Sequence, residues 1–284
     1  MKIFVIISLS VLAFLLLGFC IYLFLIKTER REGIEKLLLK RYAHRGLHDG
    51  TRAENSMSAF RAAVEAGYGI ELDVRLSSDG ELVVFHDDTL ERTTDFSGRV
   101  DSFTAEELSK MKLCGTGDGI PTFREVIRLV DGRVPLLVEI KEDAGKYGVT
   151  EKTCEMLREY RGEYMIESFN PLALGRVRKL MPEACRGILS QNFLSDEKYR
   201  TPTHFLLEIL ALNVICRPHF VAFNIKHSGN AALKLTRRIF GAPTLAWTVT
   251  SEEEERLAAK EGFDTTIFEG HTPTSDPKTK KELK

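Results

Sequence analysis

Two carboxylates on one strand are the first residues in this 284-residue chain whose types and spacing suit chemistry. They are Glu71 and Asp73 in the segment GIELDVRL, where isoleucine, leucine and valine occupy the alternate positions. Because strand side chains alternate between two faces, both carboxylates share one face. Like charges in a partly desolvated site repel, and a hard divalent cation would stabilise them. The pattern predicts an inward-facing metal site, the alternative being an edge strand with ordinary surface charges.

The same alternation recurs in the segment VPLLVEIKED. Glu139 and Lys141 share one face there, and leucine, valine and isoleucine occupy the other. Both polar residues lie near the end of a strand. Glu139 therefore adds a third carboxylate to the same interior, and Lys141 adds a fixed cation suited to an anion.

Two histidines end strand-like segments: His44 in RYAHRG and His86 in LVVFHDD. A single histidine at a strand end is more often structural than catalytic, but these two accompany three carboxylates, Lys141 and Arg45. As a pair they suit proton donation and acceptance. The HExxH, GxGxxG and Walker patterns are absent from the sequence. A hard cation, basic residues and two acid–base groups fit the cleavage of a phosphate ester.

The secondary-structure elements that position these residues are strand-like and helix-like segments, which alternate along the chain. Eight strands are predicted, at Arg41–His44, Gly69–Val74, Val134–Ile140, Tyr164–Phe169, Cys185–Leu189, Phe220–Ile225, Thr244–Val249 and Thr265–Phe268. Helices are predicted at Ser56–Ala66, Phe123–Val130, Val149–Tyr160, Pro171–Met181, Thr203–Ile215, Asn230–Phe240 and Ser251–Lys260. Because alternating strands and helices pair by parallel crossover, eight units predict an α/β fold, a closed (β/α)8 TIM barrel, with a doubly wound open sheet as the alternative.

One connection is longer than the others. From Leu82 to Gly119 the chain holds a further strand (LVVFHD), a turn-rich segment and a helix-like segment (TAEELSKMK). We expect an insertion after the second strand, following a hairpin turn at Asp79 and Gly80. The apolar segment HFLLEILALNVIC is too short to span a membrane and predicts a buried barrel helix.

Residues Ile3 to Ile26 form an uncharged apolar segment of 24 residues. At about 1.5 Å per residue, a helix of this length spans a hydrocarbon core of about 30 Å. It exceeds the apolar core of roughly 7 to 15 residues in a signal peptide, so we expect an uncleaved single-pass anchor in the lipid bilayer. Basic residues between Lys27 and Arg41 favour a cytoplasmic catalytic domain, an extracytoplasmic one being the alternative.

Composition bounds the partners and the compartment. The chain has 40 Lys and Arg against 41 Asp and Glu, so no basic field attracts nucleic acid. Four widely spaced cysteines follow the anchor and are expected to be free and buried, in agreement with a reducing compartment: Cys114, Cys154, Cys185 and Cys216. We divide the chain into an anchor (1–27), a juxtamembrane linker or helix (28–40), a barrel (41–270) and a disordered basic tail (271–284).

In the order of its motifs, the sequence resembles the glycerophosphodiester phosphodiesterase family. The matching segments, between about Tyr42 and Thr250, are AHRGLHDGTRAENSMSAFRAAVEAG, IELDVRLSSDGELVVFHDDTLERTT, IPTFREVI, LLVEIK, ESFNP and AWTV. The resemblance implies a (β/α)8 barrel that hydrolyses glycerophosphodiesters to glycerol 3-phosphate and an alcohol. It also implies one divalent cation, calcium or magnesium, with manganese as a third candidate.

The resemblance assigns roles to individual residues. It makes His44 and His86 the acid–base pair, Glu71, Asp73 and Glu139 the metal ligands, Arg45 and Lys141 the phosphate contacts, and Trp247 a lining residue of the glycerol or head-group pocket. In such enzymes the glycerol 2-hydroxyl attacks phosphorus and water opens the resulting cyclic phosphate. Which histidine is the acid and which the base stays open.

The similarity decreases toward the C-terminus. TTIFEGHTP stands where the family often has an acidic loop such as TDYP, so ligands from that loop are not carried over. Two alternatives also stay open: a lysophospholipase D-type activity on lysophospholipids, and a catalytically silent membrane scaffold that binds phosphate.

Overall fold

Eight parallel strands pair side by side until the first meets the last, in a computed structural model that describes residues 2–143 and 147–273. The strands are β1 (Tyr42–Ala43), β2 (Gly69–Leu76), β3 (Leu82–Val84), β4 (Leu136–Ile140), β5 (Tyr164–Ser168), β6 (Arg186–Ser190), β7 (Phe220–Asn224), β8 (Thr244–Val249) and β9 (Thr265–Phe268). β1 pairs with both β2 and β9, while β3 pairs antiparallel with β2 outside the ring. The closed (β/α)8 barrel is confirmed, and the open sheet is excluded.

The helices surround this ring. They are α1 (Lys2–Ile26), α2 (Ile34–Leu38), α3 (Met57–Ala66), α4 (Ala105–Lys110), α5 (Phe123–Val130), α6 (Gly148–Glu159), α7 (Pro171–Leu180), α8 (Pro202–Glu208), α9 (Asn213–Cys216), α10 (Ala231–Phe240) and α11 (Glu252–Glu261). Polar side chains cap many of their N-termini. Thr122 and Glu125 form a reciprocal capping box at α5, which satisfies backbone N–H groups that the helix leaves unpaired.

The strands bury different residues on their two faces. On β2, Ile70, Leu72 and Val74 pack in the cluster that joins the strands to the helices, and Glu71 and Asp73 therefore point into the barrel. We call the N-terminal ends of the strands the floor and their C-terminal ends the mouth.

The floor of the barrel is closed by α2. Ile34 and Leu37 of this helix pack on inward-facing apolar residues of the strands, including Leu137 and Met165. The Tyr42 hydroxyl donates to the Leu37 carbonyl oxygen at 3.0 Å. α2 thus completes the apolar core and leaves the mouth open for a site.

The predicted insertion after the second strand is confirmed. It contains β3, a turn-rich segment and α4, and it has a small core of its own around Val83, Leu90 and Leu108. The hairpin turn between β2 and β3 includes Gly80, whose φ of +79° favours glycine. The insertion brings Phe85 and His86 back beside β2.

The single buried helix predicted at Thr203–Ile215 is wrong. The chain forms two short helices there, α8 and α9, because Leu210 between them adopts a left-handed backbone with φ +58°. None of the α8 residues is fully buried, and Phe205 and Leu206 are exposed. One residue after α8, the Ile209 carbonyl oxygen accepts from Tyr22 Oη of α1 at 3.0 Å.

The expectation of buried cysteines is wrong at one position. All five cysteines are free, and Cys154, Cys185 and Cys216 are buried. Cys114, in contrast, is exposed in a turn of the insertion, where its φ is +44°. Its position in a loop rather than on a strand or helix accounts for the difference.

α1 is one helix of 25 residues that is long and apolar enough to cross a membrane, although an N-terminal signal sequence has the same properties. Its last turn is part of the barrel body. Ile26 is fully buried, and its carbonyl oxygen accepts from Asn213 Nδ2 at 3.2 Å. The predicted tail lies outside the described residues beyond residue 273.

Candidate active site

The mouth of the barrel gathers most of the predicted site residues because most of them lie in the C-terminal half of a strand or just beyond its end. Asp73 on β2 stands in register with Glu139 on β4, and Lys141 follows β4 directly. His44 and Arg45 follow β1. His86 comes two residues after β3, and Glu71 lies one inward position before Asp73. Parallel strands thereby bring together residues from distant parts of the sequence.

Three buried carboxylates form a possible metal-binding group. Glu71, Asp73 and Glu139 each offer an oxygen atom, and these atoms all lie within 4.8 Å of one another. Asn55 Nδ2 donates to Asp73 Oδ2 at 2.8 Å, and the backbone N–H of Arg45 donates to Glu71 Oε2 at 2.9 Å. These hydrogen bonds fix the carboxylates on the inner face and leave oxygens for a further ligand.

The electrostatics of this group show the cost of burying like charges. Burial, together with Asp73 and the other nearby carboxylates, raises the pKa of Glu71 well above its usual range. Burial likewise raises the pKa of Glu139 to about 7, against the opposing effect of Lys141. Burial acts in the same direction on Asp73, but Lys141, His86 and Arg45 hold the pKa of that carboxyl below its usual range. A divalent cation would relieve this repulsion.

His44 is oriented by a residue that was not singled out in the sequence. Its Nδ1 lies 2.6 Å from Glu269 Oε2, and Glu269 directly follows β9. His48 Nε2 lies 3.5 Å from the same carboxylate oxygen. Burial lowers the pKa of His44, while Glu269 opposes that shift. Because Nδ1 is held, Nε2 is the nitrogen left for proton transfer.

His86 has an equivalent partner next to it in the chain. Its Nδ1 lies 2.6 Å from Asp87 Oδ1, and its carbonyl oxygen accepts from Arg75 Nε at 2.9 Å. Burial lowers the pKa of His86 to about 4, against the opposing effect of Asp73. Both imidazoles are thus held at Nδ1 by a carboxylate, which leaves Nε2 of each ring to accept or donate a proton.

The two predicted phosphate contacts are both ion-paired in the structure. Lys141 Nζ lies 2.7 Å from Glu139 Oε1 and 3.1 Å from Asp73 Oδ1. Arg45 Nη1 lies 2.7 Å from Glu54 Oε1, and its Nε lies 3.5 Å from Asp73 Oδ2. These cations therefore stand beside the carboxylates, where their charge also acts on an anion entering the mouth.

Aromatic side chains line the other side of the barrel. Trp247 on β8 contacts the ring of Phe169 with centroids 5.4 Å apart, and Phe169 contacts Phe193 at 6.1 Å. Phe193 in turn contacts Tyr199 at 5.9 Å and His204 at 5.5 Å. A continuous aromatic row therefore runs from Trp247 to α8, while the charged groups lie on β1, β2 and β4.

Several functional candidates were missed in the sequence, although signals for them exist. Glu54 and Asn55 lie inside the quoted segment AENS, and Asp87 follows His86. Glu269 occupies the end of a barrel strand, where site residues concentrate. Glu167 on β5 alternates with apolar residues in YMIES as Glu71 does on β2, so the same alternation rule identifies it.

Comparison with known proteins agrees with this geometry. The model of the glycerophosphoryl diester phosphodiesterase family matches residues 44–269. A glycerophosphodiester phosphodiesterase from Caldanaerobacter subterraneus is 36% identical over 249 residues, which cover 84% of this chain and 94% of that protein.

Two solved structures are also similar. A phosphodiesterase from Oleispira antarctica, in complex with the product sn-glycerol-3-phosphate, aligns with a TM-score of 0.66 at 25% identity, covering 86% of this chain and 96% of that one. A glycerophosphodiester phosphodiesterase from Thermotoga maritima aligns with a TM-score of 0.60 at 25% identity, covering 86% and 98%. The chain therefore belongs to the glycerophosphoryl diester phosphodiesterase family and is a phosphoric diester hydrolase.

Proposed function

We propose that this enzyme hydrolyses glycerophosphodiesters to glycerol 3-phosphate and an alcohol, with His44 and His86 as its acid–base pair. The observation that carries the proposal is the meeting of these two carboxylate-held histidines with three buried carboxylates at one end of the barrel. The Oleispira structure holds sn-glycerol-3-phosphate, the product that this reaction would release.

A divalent cation, calcium or magnesium, fits the group formed by Glu71, Asp73 and Glu139. The donors are hard carboxylate oxygens, and the three buried residues that supply them bring these oxygens within 4.8 Å of one another. Manganese accepts the same donors. When bound there, the cation supplies positive charge that stabilises the phosphoryl oxygens.

The histidines would move protons in two steps. In the first, the glycerol 2-hydroxyl oxygen forms a bond to phosphorus and gives its proton to one imidazole Nε2. The bond from phosphorus to the leaving alcohol oxygen breaks, and the other imidazole protonates that oxygen. In the second, the rings exchange roles while water opens the cyclic phosphate. Arg45 and Lys141 would contribute fixed positive charge to the phosphate throughout.

We also propose that α1 is an uncleaved anchor in the bilayer, with the barrel on the cytoplasmic side. The last turn of α1, which contributes the buried Ile26 to the barrel core, supports the uncleaved anchor. The basic residues between Lys27 and Arg41 support the cytoplasmic side. Arg217 Nη1 donates to the Phe24 carbonyl oxygen at 2.7 Å, and Tyr22 Oη donates to the Ile209 carbonyl oxygen at 3.0 Å. Cleavage after the apolar segment would remove these contacts.

A specific observation favours lysophospholipids as a second substrate class. The aromatic row from Trp247 reaches α8, whose Phe205 and Leu206 are exposed. Ile209, one residue after α8, accepts from Tyr22 Oη of α1. An acyl chain leaving a bilayer would find an apolar wall leading to the site. A soluble glycerophosphodiester needs no such wall.

The decisive measurement is release of glycerol 3-phosphate from glycerophosphocholine and glycerophosphoethanolamine, with and without chelator. We expect loss of activity with chelator and a fall of about 10² to 10⁴-fold in His44→Ala. His219→Asn, which changes a histidine at the floor of the barrel, serves as the matched control and is expected to keep its activity per folded molecule. Retained activity in the chelated sample or in His44→Ala would overturn the mechanism.

Two further assays separate the rival functions. If the protein released choline from lysophosphatidylcholine but not from glycerophosphocholine, its substrate would be a lysophospholipid and not a glycerophosphodiester. If the purified protein hydrolysed no phosphodiester with calcium, magnesium or manganese, the silent scaffold would be the better interpretation.

A further inference from the structure

Glu167 is a fourth carboxylate inside the barrel, beside the three already described. It lies on β5 in register with Glu139 on β4. The inward residue before it on the same strand is Met165, which packs in the interior cluster. Glu167 therefore points into the barrel on the Glu139 side of the group, and only 1% of its surface is exposed.

This side chain lacks the partners that a buried carboxylate needs. Its Oε2 is buried and accepts no hydrogen bond from any residue in the described ranges. The charges acting on it most strongly are those of Glu139, Lys141 and Asp73. Lys141 is already paired to the other two. An unpartnered buried carboxylate is costly, so a purely structural role would favour an apolar or amide side chain here.

Distance allows Glu167 to join the metal site. Neighbouring strands lie about 4.8 Å apart, and Glu139 and Glu167 occupy directly paired positions. Glu167 is not one of the three residues that meet within 4.8 Å, so it flanks that group rather than completing it. A cation bound at Glu139 would meet the Glu167 carboxylate on its β5 side.

We propose that Glu167 is an additional carboxylate of the metal site, which raises its affinity for divalent cations and favours calcium over magnesium. Calcium binds roughly 6 to 8 oxygen ligands in flexible arrangements. Magnesium requires about six ligands in a strict octahedron, and several of these are usually water molecules. A fourth carboxylate beside the site should therefore raise its affinity for calcium more than its affinity for magnesium. This inference rests on the proposed function of Glu71, Asp73 and Glu139.

Calorimetric titration of the chelator-stripped full chain with calcium chloride and with magnesium chloride tests this inference without an activity assay. We expect Glu167→Gln to weaken calcium binding by about 10 to 100-fold and magnesium binding by less. Glu163→Gln, an exposed glutamate four positions earlier, is the matched control and should bind both ions as the wild type does. Glu139→Gln should lose most binding of both ions.

The outcomes separate this inference from the proposed function. Unchanged calcium and magnesium affinities in Glu167→Gln, beside a loss in Glu139→Gln, would overturn the role of Glu167 and leave the three-carboxylate site standing. No cation binding by the wild type would overturn both. Glu167→Met is the second variant: an apolar side chain of similar length suits the buried position and should show the same loss of calcium affinity.

Discussion

At the floor of the barrel the buried charges are paired and hydrogen-bonded, whereas at the mouth carboxylates gather beside one another. Arg186, 1% exposed at the floor, contacts Glu29 Oε2 at 2.6 Å. It also donates to the carbonyl oxygens of Cys216 and Arg217 at 2.8 and 2.9 Å. At the mouth, the carboxylates of Glu71 and Glu167 face like charges, and Glu167 Oε2 is unpartnered among the described residues.

This difference indicates that the floor of the barrel contributes mainly to stability and the mouth mainly to function. The floor is filled by apolar residues and α2, so changes there should reduce the free energy of unfolding and leave the chemistry alone. At the mouth, Lys141 and Arg45 offset only part of the repulsion among the carboxylates, so changes there should alter catalysis and cation binding more than stability. Four measurements test this division.

The largest effect is expected from Glu269→Gln at the mouth. The amide keeps the size of the side chain but can no longer hold His44 Nδ1 as a charged acceptor, so the imidazole loses its orientation. We expect kcat to fall by about 10² to 10⁴-fold with little change in KM or in the melting temperature. Steady-state kinetics and circular dichroism measure both quantities.

Glu255→Gln is the control for the loss of a charge near β9. Its carboxylate contacts Arg41 and Thr266 rather than His44. An equal fall of kcat in this variant, or an undiminished kcat in Glu269→Gln, would show that Glu269 does not position the histidine.

The second-largest effect is expected from Arg186→Met, a change at the floor of the barrel. Arg186→Met leaves the carbonyl oxygens of Cys216 and Arg217 without their donor and leaves Glu29 without one of its partners. We expect the free energy of unfolding to fall by about 3 kcal/mol, measured by urea denaturation, with kcat unchanged per folded molecule. A loss of kcat without a loss of stability would contradict the division between the two ends.

His219, also at the floor, gives a smaller effect that depends on pH. It is 6% exposed, its Nδ1 accepts from the backbone N–H of Arg186 at 3.2 Å, and burial, reinforced by Arg186, lowers its pKa to about 3. Below pH 6.5 the unfolded chain binds the proton first, so this histidine's contribution to stability decreases as pH falls from 6.5 toward 3.

The measurement is the free energy of unfolding of the wild type and His219→Asn as a function of pH. We expect the wild type to lose about 2 kcal/mol more than the variant between pH 7 and pH 5. Parallel pH dependence in the two proteins would show that His219 is not held neutral by the floor.

The barrel was predictable because its signals are local and repeated. Alternation in GIELDVRL and LLVEIK identified the inward carboxylates, and eight alternating units predicted closure, which β1 achieves with only two residues. The break at Leu210 was not predictable, because a left-handed leucine follows from tertiary packing rather than from its own preference. Periodicity in that segment therefore suggested one helix.

The site was only partly predictable for a related reason. Motifs place His44, His86 and the metal-binding group, but the Nδ1 partner of His44 comes from Glu269, 225 residues later in the chain. Such pairing depends on closure of the barrel between β1 and β9. Sequence spacing carries no information about which strand end will face which.

The smallest of the four effects is expected from a change at the mouth. It should raise the free energy of unfolding, whereas the changes at the floor lower it. Glu71→Gln removes a carboxyl whose neighbours are Asp73, Glu139 and Glu167, and a neutral isostere relieves that repulsion. In chelator at pH 8 we expect the free energy of unfolding of this variant to exceed that of the wild type by about 1 kcal/mol. In a separate titration without chelator, the variant should no longer bind calcium. Glu54→Gln is the matched change of a carboxylate satisfied by Arg45 and Arg92, and it should destabilise the protein instead. If Glu71→Gln lowered stability as much as Glu54→Gln does, the carboxylates of the mouth would be structural, and its contrast with the floor would not hold.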